Sequence, residues 1–592
     1  MRGRGAAAPF ISAATLFLLA LALLSLQVSF GGSRLVYEFP AYCAIAIAAI
    51  LGITTLGSRR NVDYFCVGTA VLFVGYISGR ALLSPVAYYA RADLYAVLAV
   101  FVVYGITITA LSAARQRARL LAVLLLFAIC HVLVSLVQFG IGQNFIFLAA
   151  LGNVEATSRP SGLHAGPAYL AGLLEVLGIF AVSLACWSRW PKWGKVLMGY
   201  LAFVCYAGVA LTGSRGGYVS VGVSLFVFAI LSLIALRAGG GAVFWKWGAL
   251  GVLALALAVW LGSSLINESA LLSKRVEAVA DVDQGRLDLW SAAIQQWHLQ
   301  PWLGTGSGTY RFYGRQFRAA EMQQDPVEVH NDYLHLLCEY GVVGGVAFAL
   351  FLCAHLRQAW RNFVRLGPQR LAAGAFPLSD RLALNLGATA AISAYLVHSA
   401  VDFNLHIPAN ALLLAFVFGL VANPGSNPAD EPGPAASGLF PRVAVGVVSL
   451  MLLVQAVRLW PGEYYAERAR LALESEEQTT AIAFANQALR YDSQNPRVFF
   501  FLGRSLSALG DAQSGLAERN SKYEQAITQF QRARTLNPLD GNYPLNIATI
   551  YDQMGRFAEA EWMYGLARER DPLLESLAAH YRTHLRLWAK AK

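Results

Sequence analysis

Runs of about 20 apolar residues recur along most of this 592-residue chain, and each is long enough to cross a bilayer as an α-helix. Only 14% of the residues are charged, against about 25% in soluble proteins. The sequence therefore predicts an all-α, polytopic membrane bundle of about 12–13 transmembrane helices. The candidate spans, about thirteen, lie near residues 10–30, 37–57, 64–84, 93–112, 118–138, 165–187, 194–212, 217–236, 244–263, 333–355, 383–402, 407–423 and 439–459.

Lysine and arginine residues cluster in alternate short loops between these runs. The positive-inside rule places such clusters in the cytoplasm, and this placement accounts for the net charge of +11 without a nucleic-acid partner. We therefore expect a cytoplasmic N-terminus, with the loop 139–164, the long loop 264–332 and the C-terminal region on the outer face. The clusters are Arg2/Arg4, Arg59/Arg60, Arg115/Arg117/Arg119, Arg189/Lys192/Lys195, Arg237/Lys246 and Arg357/Arg361/Arg365/Arg370.

The longest polar interruption of the apolar pattern runs over about 70 residues, from Ser264 to Asp332. Loops of this length are usually functional or disordered. This one is rich in Trp, Tyr, Leu and Gly, which argues against disorder. Its segment Gly285–Trp290 predicts an amphipathic helix. We expect residues 264–332 to form an active-site domain between transmembrane domains at 1–263 and 333–460.

The composition changes after about Pro461, where the chain becomes charged, alanine-rich and helical in its periodicity. The dipeptides Asn495-Pro496, Asn537-Pro538 and Asp571-Pro572 recur at intervals of 42 and 34 residues. This pattern resembles tetratricopeptide repeats, and it predicts an α-solenoid over 461–592. A Pro/Gly-rich linker is expected at 422–438. The alternative is an irregular helical bundle.

Three arginines on the expected outer face run against the positive-inside bias and indicate an anionic partner. Arg215 follows Ser214 in a glycine-rich turn, Arg286 lies in the long loop, and Arg159 lies near the membrane edge beside His164. A guanidinium binds phosphate in bidentate fashion. The alternatives are a snorkelling anchor for Arg215 and a solvated charge for Arg286.

His330 stands where the chain re-enters the membrane, and a neutral imidazole there can take a proton from an attacking hydroxyl near pH 7. Asn331 and Asp332 follow it directly, and Glu339 is a further acid that could orient it. His335 and Glu339 are four residues apart and share a helix face. Because this set of side chains matches no metal-ligand spacing, we assign neither a metal nor a cofactor.

Two further histidines lie in the apolar runs. His398 and Asp402 are four residues apart, which predicts an ionisable pair on one face at the outer end of a helix. Such a pair is either functional or only joins two helices. His131 has no evident partner in the sequence, and we assign it a structural role.

Four motifs occur in order along the chain. Together with Arg159-Pro-Ser-Gly upstream and the segment His398–Asp402 downstream, they resemble the O-antigen ligase and polymerase superfamily of bacteria, in its members with tetratricopeptide tails. The resemblance covers about residues 1–460. The motifs begin at Thr212 (Thr-Gly-Ser-Arg-Gly-Gly), Gly285 (Gly-Arg, then Trp290), Pro301 (Pro-Trp-Leu-Gly-Thr-Gly-Ser-Gly) and His330 (His-Asn-Asp-Tyr-Leu, then Glu339-Tyr-Gly-Val-Val-Gly).

The resemblance implies a metal-independent, inverting glycosyltransferase with a GT-C-like membrane fold in the bacterial inner membrane. Its donor would be a glycan on undecaprenyl diphosphate, presented on the periplasmic side for surface polysaccharide or lipopolysaccharide synthesis. By the same resemblance, Arg215 and Arg286 hold the diphosphate, with Arg159 as a third candidate. His330 would deprotonate the acceptor hydroxyl. No cofactor is implied.

Several alternatives stay open at this stage. The acceptor could be another glycan, lipid A-core or a protein, because this chain adds about 130 residues of repeats that lipopolysaccharide ligases lack. We expect the repeats to bind other polysaccharide-assembly proteins. A flippase would need charged or broken helices at mid-membrane, whereas the polar residues here gather at one face. A scaffold whose role lies in the repeats would leave the long loop without a purpose.

Overall fold

The computed structural model describes residues 4–54, 62–111, 113–142, 159–238, 284–367, 378–425 and 439–592. Regular structure within these ranges is helical, and a 3₁₀ turn at Asn404–His406 precedes α13. The helices are α1 (Arg4–Val28), α2 (Leu35–Thr54), α3 (Tyr64–Leu82), α4 (Ala87–Thr109), α5 (Ala114–Ile141), α6 (Pro167–Trp187), α7 (Lys192–Thr212), α8 (Arg215–Ala238), α9 (Gln284–Leu299), α10 (Tyr310–Gln316), α11 (Asp332–Leu366), α12 (Asp380–His398), α13 (Pro408–Ala422), α14 (Leu439–Glu474), α15 (Gln478–Tyr491), α16 (Pro496–Asp511), α17 (Leu516–Leu536), α18 (Asn542–Gln553), α19 (Phe557–Arg570) and α20 (Glu575–Ala591).

Ten helices in the described ranges are long and apolar enough to cross a membrane, namely α1–α8, α11 and α14. They confirm the predicted all-α, multi-pass membrane architecture. The expected span 407–423 corresponds to α13, an apolar helix of only 15 residues. The expected span 383–402 corresponds to α12, which is not among the ten. The expected span 244–263, the first part of the long loop (264–283) and most of the expected linker (426–438) lie outside the described residues.

The first of two compact units comprises Met1–Val74, Ala96–Asp281 and Ala347–Leu453. Its most buried helices are α6, α12 and α13, and every residue of α13 is buried. Helix α12 packs against α6, α8 and α13. Small residues allow these close approaches, as is usual between membrane helices. A Cβ on Gly387 of α12 would lie 2.7 Å from the ring of Phe180 on α6.

The second unit comprises Gly75–Tyr95, Val282–Val346 and Val454–Lys592. Helices α15–α20, here called the C-terminal helical region, pack as neighbours in sequence order. The proline dipeptides lie at helix boundaries: Asn537 and Asp571 are the C-cap residues of α17 and α19, whereas Asn495 is the N-cap residue of α16. Helix α17 has 21 residues, whereas α15 and α19 have 14 each, and this extra length accounts for part of the longer first interval. The classification as tetratricopeptide repeats stays a prediction.

Candidate functional site

His330 lies two residues before the start of α11, and its backbone adopts a left-handed φ of 53°. Residues other than glycine rarely adopt this conformation, so the surrounding structure must impose it. The side chain of Asn331 accepts hydrogen bonds from the N–H groups of Tyr333 and Leu334, both at 3.0 Å, and thereby caps α11. Asp332 occupies the first turn, where the helix dipole favours an acid. The motif is thus a helix start that fixes the backbone of His330.

Arg286 lies in α9, so the helix predicted for this part of the long loop is confirmed. Four residues later, Trp290 donates its indole N–H to the main-chain oxygen of His330 at 3.3 Å. Residues four apart share a helix face, so Arg286 lies on the face of α9 that is attached to His330. Both side chains are half-buried. The structure therefore places Arg286 and His330 in one region of the second unit.

The glycine-rich segment that follows α9 is bonded to a kink in α11. The kink is at Gly341, whose φ of 66° and ψ of −172° interrupt the helix. The N–H of Gly306 donates to the main-chain oxygen of Glu339 at 3.0 Å, and the N–H of Val342 donates to that of Pro301 at 2.9 Å. Two motifs that are separate in the sequence therefore form one structural element.

Glycine is required on both sides of this contact. Gly304 has a φ of 71°, and a Cβ there would lie 2.2 Å from the carbonyl carbon of Glu339. A Cβ on Gly341 would lie 2.3 Å from the main-chain oxygen of Trp302. These glycines thus permit two backbones to touch.

The carboxylate of Glu339 joins the same two segments. It accepts hydrogen bonds from the N–H groups of Gly308 and Tyr310, both at 2.8 Å, and it is 1% exposed. Its other neighbour is His335, with Nε2 at 3.4 Å, as the shared helix face predicted. The opposite ring nitrogen of His335 lies 3.4 Å from a carboxylate oxygen of Glu328. His335 thus bridges two acids, and Glu339 anchors the loop to α11.

Arg215 is the first residue of α8 in the first unit. Helix α7 is followed by its C-cap residue Gly213, whose left-handed φ of 61° ends the helix. The hydroxyl of Ser214 then accepts a hydrogen bond from the N–H of Gly217 at 3.2 Å and caps α8. Arg215 is half-buried at a helix N-terminus, where main-chain N–H groups and the dipole favour an anion.

His398 packs against this turn and has an acidic partner on α6. Its Nδ1 lies 3.0 Å from a carboxylate oxygen of Glu175, and both side chains are fully buried. A Cβ on Gly216 would lie 3.0 Å from the imidazole of His398. Glu175 was missed in the sequence, although a lone acid inside an apolar run is itself a signal of function.

The expectation that Asp402 shares a helix face with His398 is wrong. Helix α12 ends at His398. The chain then forms a turn, in which the N–H of Val401 donates to the main-chain oxygen of His398, three residues earlier, at 3.0 Å. Asp402 lies beyond this turn, buried, and accepts a hydrogen bond from the N–H of Phe403 at 3.0 Å.

Arg159 precedes a loop that is anchored to α5. Gln138 accepts hydrogen bonds from the N–H groups of Ser161 and Gly162 at 2.9 Å and 2.8 Å, and it donates to the oxygen of Gly162 at 3.0 Å. His131, which lacked a partner in the sequence, lies about two turns before Gln138 on the same face of α5, with Nε2 at 3.2 Å from the side-chain oxygen of Gln27.

The model of the O-antigen ligase family matches residues 200–349. Residues 200–349 are therefore a segment of the O-antigen ligase/polymerase type. The matched ligase segment contains Arg215, Arg286, His330 and Glu339, and with them the joined motifs of the second unit. Comparison with curated proteins gives no match. Together with the ten apolar helices, the family assigns a multi-pass membrane protein of the O-antigen ligase type.

Proposed function

We propose that this O-antigen ligase-type protein transfers a glycan from undecaprenyl diphosphate to an acceptor hydroxyl on the periplasmic face of the bacterial inner membrane. The observation that carries the proposal is the attachment of α9 to His330, which places a phosphate-binding residue type, Arg286, near a candidate base. The family match over residues 200–349 supports the same class of reaction.

In the proposed reaction, His330 takes the proton of the acceptor hydroxyl through a ring nitrogen. The acceptor oxygen attacks the anomeric carbon, and the bond from that carbon to the diphosphate oxygen breaks with inversion. The diphosphate leaves with the bonding electron pair. This leaving group is already activated, so positioning and charge neutralisation supply the catalysis without a metal.

The arginines would bind the donor rather than the acceptor. Arg286 and Arg215 offer planar guanidinium groups that match phosphate oxygens, and both are half-buried, so their charges are less screened than on an open surface. The half-buried Arg159 is the third candidate for this role. In variants Arg215→Ala and Arg286→Ala, transfer should be lost while membrane insertion is normal. Full transfer by both variants would remove the diphosphate role.

The acceptor defines three versions of this function. A polymerase would use another lipid-linked glycan, a ligase would use lipid A-core, and an oligosaccharyltransferase would use a protein hydroxyl. All three share the donor and the base, so the residues discussed above do not separate them. The C-terminal helical region is the part of the chain in which a preference for an acceptor or for other assembly proteins would reside.

The test is mass analysis of undecaprenyl-linked glycans in cells that carry His330→Ala. Exposed His298 on α9 provides the matched control, His298→Ala, which should behave as wild type. Accumulation of single repeat units would identify a polymerase, and accumulation of finished chains would identify a ligase or a protein-directed enzyme. If His330→Ala cells show the wild-type pattern, His330 is not the base and the proposed mechanism fails.

A further inference from the structure

Two arginines of the long loop form ion pairs with the C-terminal helical region inside the second unit. Arg315, in α10, donates to Asp540 at 3.0 Å. Arg318, two residues past the end of α10, donates to Asp571 at 2.7 Å. Asp325, from the same loop, lies 2.6 Å from Arg315 and 3.5 Å from Arg318. The loop upstream of His330 is thus bonded to two separate turns of that region.

These pairs are removed from water. The side chain of Arg318 is fully buried, and that of Asp571 is 7% exposed. Exposed ion pairs contribute little to stability, whereas separating a buried pair leaves an uncompensated charge in the protein interior. The contact between the loop and the C-terminal helical region is therefore a stable part of the fold.

Asp571 has an unfavourable position in its own helix, whereas Asp540 lies just before α18 and also accepts a hydrogen bond from the N–H of Asn542 at 3.0 Å. Asp571 is the C-cap residue of α19, where the helix dipole disfavours an acid. Asp492 is the C-cap residue of α15, and it too has an arginine partner, Arg91, with Nη2 at 3.2 Å. An acid at such a position is compensated by an external cation. The recurrence indicates that this edge of the C-terminal helical region is built to receive arginines.

A third contact extends the attachment toward His330. Gln323 donates to the main-chain oxygen of Leu573 at 3.2 Å and accepts a hydrogen bond from the N–H of Glu575 at 2.9 Å. The C-terminal helical region therefore binds the loop at residues 315, 318 and 323. Further along the chain, at the end of the loop, His330 accepts a hydrogen bond from Trp290.

We propose that the C-terminal helical region braces the active-site loop, with Asp540 and Asp571 as positioning residues for the segment that leads to His330. The partner of this edge is the chain's own loop, residues 315–323. The proposal rests on the proposed function, because it assigns to His330 the reaction that the brace supports. Transfer should then depend on carboxylates that never touch the substrate.

The test compares full-length variants Asp540→Asn, Asp571→Asn and the double variant with Asp511→Asn. Asp511 is the matched control, because its carboxylate accepts from Tyr523 within the C-terminal helical region at 2.6 Å. Hydrogen exchange of residues 317–330 is measured in detergent, and undecaprenyl-linked glycans are measured in cells. In the double variant we expect exchange to accelerate about tenfold and transfer to fall about tenfold or more, with Asp511→Asn unchanged.

Exchanging the charges of Arg318 and Asp571 distinguishes the loss of this ion pair from a general loss of folding. Arg318→Asp and Asp571→Arg should each reduce transfer, and their combination should restore part of it. Two results would overturn the brace: a double Asn variant with wild-type transfer, or lost transfer with unchanged loop exchange, which would point to recruitment of another protein. His330→Ala is included in the same assay. If it retains transfer, the proposed function fails, whereas loop exchange still reports on the brace.

Discussion

The indole N–H of Trp290 donates to the main-chain oxygen of His330 across 3.3 Å. This single bond connects the helix that carries one arginine of the ligase motif to the residue proposed as the base. His330 holds a left-handed φ at this point, and the bond is made to the main-chain oxygen of this same residue. The bond therefore supports both the position of α9 and the conformation of His330.

Replacing Trp290 by Phe should reduce transfer while the protein remains folded. The ring still fills the packed cluster with Ala293 and Val329, but the donor is lost. A lost hydrogen bond of this kind costs about 1 kcal/mol, and the misplacement of His330 should lower turnover more than donor affinity. Trp297→Phe is the control, because its indole donates to Pro301 from the same helix at 3.0 Å. Equal losses in both variants would contradict a specific role for Trp290.

Glu339→Gln should destabilise the junction between the loop and α11. The amide offers only one acceptor oxygen in place of two, and its NH₂ group would face an N–H donor. We expect a loss of about 1–3 kcal/mol, measured as a lower midpoint of thermal unfolding in detergent. Glu321→Gln, at an exposed position of the same loop, should match wild type. An unchanged midpoint for Glu339→Gln would show that the carboxylate does not hold the junction.

Gly304→Ala should prevent correct folding, because the new Cβ would overlap the backbone at Glu339 and the residue would keep a positive φ. We expect a cost of at least about 3 kcal/mol, from strain and overpacking together. The folding defect is measured as a lower yield of monodisperse protein after membrane extraction. Gly345→Ala is the control, since its nearest contact would be 3.4 Å from the Cβ. A normal yield of Gly304→Ala would refute the close approach.

Ten of the expected spans, the helix around Arg286 and the pairing of His335 with Glu339 were predictable, because each depends on residues a few positions apart. The close contact between the backbones at Gly304 and Gly341 was not predictable. A glycine permits such a contact, but the sequence does not indicate which segment makes it. The ion pairs of the long loop were also not predictable from the sequence. Arg318 and Asp571 are 253 residues apart, and no local pattern links them.

The partner of His398 shows a different limit. The four-residue spacing between His398 and Asp402 suggested a pair on one helix face. Because the helix ends at His398, this spacing does not place the two side chains on a common face. The acid that pairs with His398 is Glu175, on another helix. Local periodicity identifies residues that share a face only as long as the helix continues.

Glu175→Ala should destabilise the first unit, because it leaves His398 fully buried without its acidic partner. Removing one member of a buried pair costs about 3–5 kcal/mol. Glu175→Gln keeps an acceptor oxygen and should cost less. Thermal unfolding of both variants in detergent measures the difference. If Ala and Gln variants unfold at the wild-type midpoint, the pair does not stabilise the packing of α6 against α12.

The stability of the second unit should depend on pH through Asp571. Burial raises the pKa of its carboxyl from 3.8 to about 6, against the opposite influence of Arg318 and Arg315. Between these two values the folded state binds more protons than the unfolded state, so the free energy of unfolding falls as pH rises. Asp571→Asn should lose this slope. The free energy of unfolding of both full-length proteins is measured across this pH window. If it changes with pH in the same way for both proteins, the prediction is contradicted.

The ion pairs of the long loop also set an order of events during synthesis. The ribosome makes Arg318 first and Asp571 253 residues later, an interval of roughly 13–50 s at ordinary rates of translation. For most of that interval the loop exists without the carboxylates of the C-terminal helical region that hold it. The segment leading to His330 therefore reaches its final arrangement only when the last helices have been made, although it is encoded in the middle of the gene. A chain released early would carry every residue of the ligase motifs and still have an unsupported loop.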